Sequence, residues 1–236
     1  MIPISDENPT RLTPIMTWAL ILICVLVYLW ERSQGREMDA AIAVFGFTPA
    51  ALFGYRVGVP GLETYPPIET IFTSMFMHGG ILHIAGNMLY LWIFGNNIED
   101  AMGHLRFVFF YLVCGVAAAL TLAYVDPVSR IPMVGASGAI SGVLASYVLL
   151  FPRARVTVIF PLGFIFIPFT ISAFWVVGFW FVFQVFSALV SDPNQPGVAF
   201  WAHVGGFISG LVLTPLFKNA DFPLFGRVRT RGPWER

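Results

Sequence analysis

The chain has 236 residues, 57% of them hydrophobic and 11% charged, with a mean hydropathy of +0.77. Soluble domains carry about 25% charged residues, so this alphabet cannot clothe a water-facing surface; at roughly 20 residues per crossing the length holds about five to seven membrane spans and no separate soluble domain. Thirteen basic residues balance thirteen acidic ones, which argues against a nucleic-acid partner.

The segment Met1 to Pro14 carries Asp6, Glu7 and Arg11 but no basic start and no small-x-small cleavage site, so the apolar run after it reads as a retained helix. Runs free of Asp, Glu, Lys and Arg then follow in order: Leu12–Trp30, Thr70–Ile98, Phe107–Val125, Ile131–Pro152, Val156–Ser191 and Pro193–Phe217. The fifth holds 36 residues, but Pro161, Gly163 and Pro168 interrupt its first half. A non-helical or interfacial segment is therefore expected at 156–170, with one helix after it. The expectation is an all-α, polytopic membrane protein with a single domain over 1–236. Its six transmembrane helices fall near 12–30, 79–98, 107–125, 136–152, 172–190 and 200–217, with a long first loop at 31–78 and a tail at 218–236.

With six spans, nine basic residues share one side: Arg11, Arg106, Arg153, Arg155, Lys218, Arg227, Arg229, Arg231 and Arg236. Four, Arg32, Arg36, Arg56 and Arg130, face the other. The positive-inside rule then makes both termini cytoplasmic, and the basic tail reads as a cytoplasmic anchor. The absence of an organellar presequence points to a prokaryotic cell membrane. The first loop contains Phe45, Phe47, Leu52, Phe53 and Tyr55, which suit a lateral element in the membrane interface better than a wet linker. Cys24 and Cys114 each lie inside an apolar run and read as unpaired thiols, and no zinc-type spacing is present.

Polar groups in hydrocarbon are costly, so each one calls for a reason. In span two, His83 and Asn87 stand four residues apart on one face, with His78 before them. Such groups either hold helices together or aim donors at an oxyanion; for His78, a structural role at the loop edge is favoured. In span four, Gly135-Ala136-Ser137-Gly138 bares the backbone beside Ser137, and Gly138 and Gly142 make a small-residue face. Alone, this reads as close helix packing. In span six, Ala202-His203-Val204-Gly205-Gly206 leads to Gly210, again with a small-residue face on Gly206 and Gly210. His203 and Ser137 fall at one depth on helices able to approach closely. A serine needs a base to take its proton, and histidine is the usual one. No Asp or Glu lies in a span near His203, so a Ser–His dyad without a carboxylate is the expected arrangement.

From about Thr70 to Phe217 the chain resembles the rhomboid intramembrane serine proteases. The resemblance rests on His83-x-x-x-Asn87, Gly135-x-Ser137-Gly138 and Ala202-His203-x-x-Gly206-x-x-x-Gly210, with Phe94-Gly95-Asn96-Asn97-Ile98-Glu99-Asp100 and Gly103 after the second helix. It implies a six-helix bundle around a water-filled cavity open to the outer side. Ser137 would be the nucleophile and His203 the base and then the acid. His83, Asn87 and the Ser137 N–H would form an oxyanion hole, and Gly135, Gly138, Gly206 and Gly210 would support the site. Single-span transmembrane proteins in the lipid bilayer would be the substrates, cut near the outer membrane boundary, with no metal or organic cofactor. Two features depart from the family pattern. Tyr55-Arg56 stands where many members have a Trp-Arg pair, and Ser141 stands where some have an aromatic residue one turn after the serine. The rival readings are a catalytically silent membrane scaffold or chaperone of the same fold, and a metal- or haem-binding protein using His78, His83 and His203.

Overall fold

A computed structural model describes residues 1–57, 65–162, 165–192, 195 and 197–226. The basic residues Arg227, Arg229, Arg231 and Arg236 of the expected anchor, and Gly163 of the expected interruption, lie outside the described residues.

Four helices among the described residues are long and apolar enough to cross a membrane: α1 (Ile15–Ser33) and three that follow it in sequence, His104–Val125, Ala173–Val190 and Phe200–Phe217. The chain is a multi-pass membrane protein. Helix α1 begins where Pro14 ends the extended entry, and its free N–H groups meet the carboxylate of Glu99. Met16 and Thr17 donate their backbone N–H groups to Glu99 at 2.9 and 2.7 Å, and the Thr17 hydroxyl donates to it at 2.7 Å. A fully buried carboxylate (0% exposed) thus closes the positive end of a helix.

The first loop is folded. It carries α2 (Met38–Phe45), α3 (Pro49–Leu52) and α4 (Pro67–Thr73). Phe47 exchanges two backbone hydrogen bonds with Met133, at 3.0 and 2.7 Å. Phe47, Ile71 and Met75 bury a small core of their own against Ala119 and Ala123. The loop therefore braces the segment that leads to Ser137.

The segment expected as the second span is helical from Ile81 on but not uniform. α5 (Ile81–Tyr90) runs through a π-helical turn at Leu91–Gly95 into α6 (Asn96–Met102). α7 (His104–Val125) follows after Gly103, and α8 (Ser137–Leu150) is apolar but only 14 residues long.

Beyond α8 the structure corrects the all-α expectation. β2 (Arg155–Leu162) and β3 (Ile165–Ser172) form an antiparallel hairpin, and β1 (Ile2–Asp6) adds to it in the order β1-β2-β3. Val156, Thr157, Val158, Ile159 and Phe160 are strand formers, and Pro168 is tolerated because β3 is an edge strand. The prolines thus exclude a helix at 156–170, as their chemistry requires, and the residues between them pair into a sheet. Tyr147 of α8 donates to Asp6 at 2.5 Å and ties the sheet to the bundle. Burial pushes the Asp6 carboxyl up to about 6, and this hydrogen bond opposes the rise only in part.

α9 (Ala173–Val190) and α10 (Phe200–Phe217) complete the chain. α10 packs glycine against glycine on α8. A Cβ at Gly206 would fall within van der Waals contact of the Gly138 carbonyl, and one at Gly210 would lie 2.6 Å from the Gly142 Cα. Gly205 closes on Thr121 of α7 in the same way, and Gly138 lies against Ala118. Three helices so closely apposed leave the start of α8 and the start of α10 side by side.

Candidate active site

Ser137 is the first residue of α8 and His203 lies in the first turn of α10. The glycine crossing brings their side chains into contact, with 2.7 Å between Ser137 Oγ and His203 Nε2. The serine is half-buried and the imidazole is buried. This is the geometry in which an imidazole can take the proton of a hydroxyl.

The backbone entering Ser137 is bent. Gly135 has φ +124°, in the region that side chains rarely adopt, and its N–H donates to the Ser74 carbonyl at 2.8 Å. A Cβ there would also strike the His83 ring, at 2.7 Å from Nε2. The same point lies 3.6 Å from Ser137 Oγ. The His83 imidazole and the serine hydroxyl therefore converge over the bare face of Gly135. Asn87 follows one turn after His83 on α5 and is buried, and its Nδ2 has no hydrogen-bond partner among the described residues. An amide donor buried without an acceptor is costly unless something arrives to use it. The N–H of Ser137 belongs to the free donors of a helix N-terminus, where negative charge is stabilised.

His78 is fully buried and is held differently. Its backbone N–H donates to both oxygens of Glu31 in α1, at 3.1 and 3.2 Å, and its ring meets that of His83 edge-on at 5.2 Å. It thus buttresses His83 from behind rather than reaching Ser137. Of the three histidines of the metal reading, His203 is engaged with Ser137, while His78 and His83 meet ring to ring. Cys24 and Cys114 are buried and free.

The ring of His203 has partners that the sequence reading did not name. Gln184 of α9 approaches Nδ1 with its Oε1 at 2.7 Å. Trp180, one turn earlier, lies over the ring at 5.9 Å with planes tilted by 32°, and Phe200 meets it edge-on at 6.4 Å. The side chain of Ser141 does not reach toward the histidine; it donates back to the Ser137 carbonyl at 2.6 Å. The aromatic contact expected from one turn beyond the serine is thus supplied from α9 and the start of α10. Gln184 was discoverable: it is the one side-chain amide in a helix whose other residues are apolar except for Ser187, and the cost that singles out His and Asn in hydrocarbon applies equally to Gln.

Tyr55 and Arg56 are exposed. Among the described residues no group of three or more His, Cys, Asp or Glu is arranged to hold a metal ion.

Comparison with known proteins places the chain in a family. A family model for the rhomboid domain matches residues 67–220. The mitochondrial presenilin-associated rhomboid-like protein of Mus musculus is 38% identical over 177 residues, covering 68% of this chain and 43% of the relative. Rhomboid protease GlpG of Salmonella newport (strain SL254) is 26% identical over 201 residues, 84% of this chain and 61% of the relative. Inactive rhomboid protein 1 of Drosophila melanogaster is 36% identical over 89 residues, 38% of this chain and 6% of the relative. The chain spans less than two thirds of the length of each of these. The matched segment holds α4 through α10 with Ser137, His203, His83 and Asn87, and the chain belongs to the rhomboid family.

Proposed function

We propose that the chain is an intramembrane serine endopeptidase that hydrolyses peptide bonds within or near the outer boundary of transmembrane segments. The observation that carries this reading is the 2.7 Å contact between Ser137 Oγ and His203 Nε2 at the meeting of two glycine-faced helices. Ser137 Oγ attacks the scissile carbonyl while His203 Nε2 takes its proton, and the imidazolium then returns that proton to the leaving amine. Water, deprotonated by the same nitrogen, hydrolyses the acyl-enzyme and regenerates the serine. The carbonyl oxygen becomes an oxyanion in each half. The waiting donors are Asn87 Nδ2, the His83 ring and the Ser137 N–H, each in a setting where a fixed dipole acts without reorganising.

In this reading six spans enclose the site. The 14-residue α8 and the jointed α5–α6 helix act as spans beside the four long helices, and the excess of basic residues on one side supports cytoplasmic termini in a cell membrane. Substrates are single-span membrane proteins whose helix unwinds locally to present an extended backbone, because a helical carbonyl is already hydrogen-bonded and shielded. No metal or organic cofactor takes part.

The similarity to inactive rhomboid protein 1 favours one second reading, a silent membrane scaffold of the same fold. Purified protein incubated with a labelled single-span substrate separates them. Wild type is expected to cleave, and Ser137→Ala and His203→Ala to abolish cleavage while remaining folded. A serine-directed fluorophosphonate should label Ser137 and not the Ser137→Ala protein. Binding of substrate without cleavage or labelling would assign the scaffold role instead.

A further inference from the structure

A base that works through Nε2 must carry its proton on Nδ1. In soluble Ser–His–Asp enzymes a buried carboxylate enforces that tautomer, and the sequence places no carboxylate in a span near His203. The structure fills the position with an amide. Gln184 is 4% exposed, and its Oε1 lies 2.7 Å from His203 Nδ1. The orientation of the amide is fixed independently of the histidine, because its Nε2 donates to the Trp180 carbonyl one turn back, at 3.3 Å. Turning the amide over would set Oε1 against that carbonyl, lone pair against lone pair. The atom offered to Nδ1 is therefore an acceptor, so in the neutral ring Nδ1 is the donor and Nε2 presents its lone pair to Ser137 Oγ. Trp180 covers the ring from the same helix, and Phe200 limits its rotation from the side.

From this geometry we infer that Gln184 is a positioning residue for the reaction proposed above, on which its kinetic consequence rests. It selects the tautomer of His203 that can accept the serine proton and fixes the plane of the ring. It does not touch substrate. An amide holds the tautomer as a carboxylate does but brings no charge to the neighbouring imidazolium. That is the arrangement suited to a site where an additional buried ion would need its own partner.

Two measurements test the role, one kinetic and one independent of turnover. In the kinetic arm, Gln184→Met removes the acceptor at nearly constant volume. It is expected to lower kcat by about 100-fold, the scale of a general base in the wrong protonation site, with KM changed by about twofold or less. Gln184→Glu keeps an acceptor at the same place and is expected to retain kcat within about tenfold of wild type. Folding of both variants is checked by protection of the buried thiols Cys24 and Cys114. In the second arm, nitrogen NMR of histidine-labelled protein, with the His203 signals assigned from His203→Ala, should show Nδ1 protonated in wild type. Gln184→Met should show a mixture of tautomers.

If wild type cleaves and Gln184→Met keeps its kcat, or loses it with the tautomer unchanged, Gln184 is packing only and the inference is wrong. If no substrate is cleaved and Ser137 resists labelling, the protease reading fails. The tautomer comparison then decides alone, a shift in Gln184→Met supporting the positioning role and an unchanged spectrum overturning it.

Discussion

Substituting alanine along the glycine contacts should produce a graded loss that follows what each new methyl group meets. At Gly206 the methyl meets backbone: the Gly138 carbonyl carbon at 2.9 Å, its Cα at 3.4 Å and its oxygen nearer still. Backbone inside a helix cannot rotate away, so α8 and α10 must separate. Overpacking of this kind costs about 3 kcal/mol, and the gain of about 1 kcal/mol from replacing glycine in a helix leaves Gly206→Ala about 2 kcal/mol less stable. For a chain of this size that lowers Tm by about 4–8 °C. Gly142→Ala should cost less. Its methyl meets Cys114, whose Sγ can turn away although its Cβ at 2.7 Å cannot, with the Gly206 carbonyl at 3.2 Å, so the clash with backbone is shallower than at Gly206. Gly178→Ala, in α9 with nothing within 4 Å, should be neutral or gain up to about 1 kcal/mol. Cys24 and Cys114 are buried and free, so a thiol-reactive dye reports unfolding with no added label. Activity should fall more steeply than stability in Gly206→Ala. Ser137 and His203 sit on the two helices being pushed apart, and a 1 Å misplacement can cost about 100-fold in rate. A Gly206→Ala protein that melts and cleaves like Gly178→Ala would refute the claim that this crossing holds the dyad together.

Other consequences are testable in the same preparation. Asn87→Ala should lower kcat by about 10²–10³-fold with little change in the melting temperature, since the lost Nδ2 has no partner among the described residues; a parallel fall in melting temperature would mark Asn87 as structural. Glu99→Gln should destabilise by about 2 kcal/mol in the dye assay, because a buried carboxylate that accepts three hydrogen bonds from α1 and also meets the His104 ring becomes half donor; an unchanged transition would show that α1 needs no such cap. Asp6 titrates near 6 when folded and near 3.8 otherwise, so the folded protein holds the extra proton between those values. Stability should therefore fall as pH rises from about 4 to about 6 and then level off, and Asp6→Asn should flatten that slope.

The membrane character of the chain was legible because hydrocarbon imposes a rule that composition cannot hide. Ser137 and His203 could be paired on paper from two small-residue faces and a common depth, and the structure sets the two side chains in contact. The sheet was less accessible. Val156–Ser172 is apolar at almost every position, and in β3 Ile165, Phe166, Ile167 and Phe169 are all exposed although successive residues point to opposite faces. The alternation that normally announces a strand is therefore absent. β1 is five residues long and acquires its conformation only by pairing with β2, a contact with no local signature. The role of the first loop was hidden for the same reason. Ser74 supports Gly135 across 61 positions of sequence, through a carbonyl that any residue type possesses.

The brevity of α8 has an effect that extends to the lipid. Fourteen residues rise about 21 Å, against a hydrocarbon thickness of about 30 Å. A bundle centred on such a helix either pinches the surrounding bilayer or leaves the reactive end of α8 sunk beneath the headgroups. If α8 spans the bilayer as in the proposed reading, the acyl-chain length of the host membrane sets how far water must descend to reach Ser137.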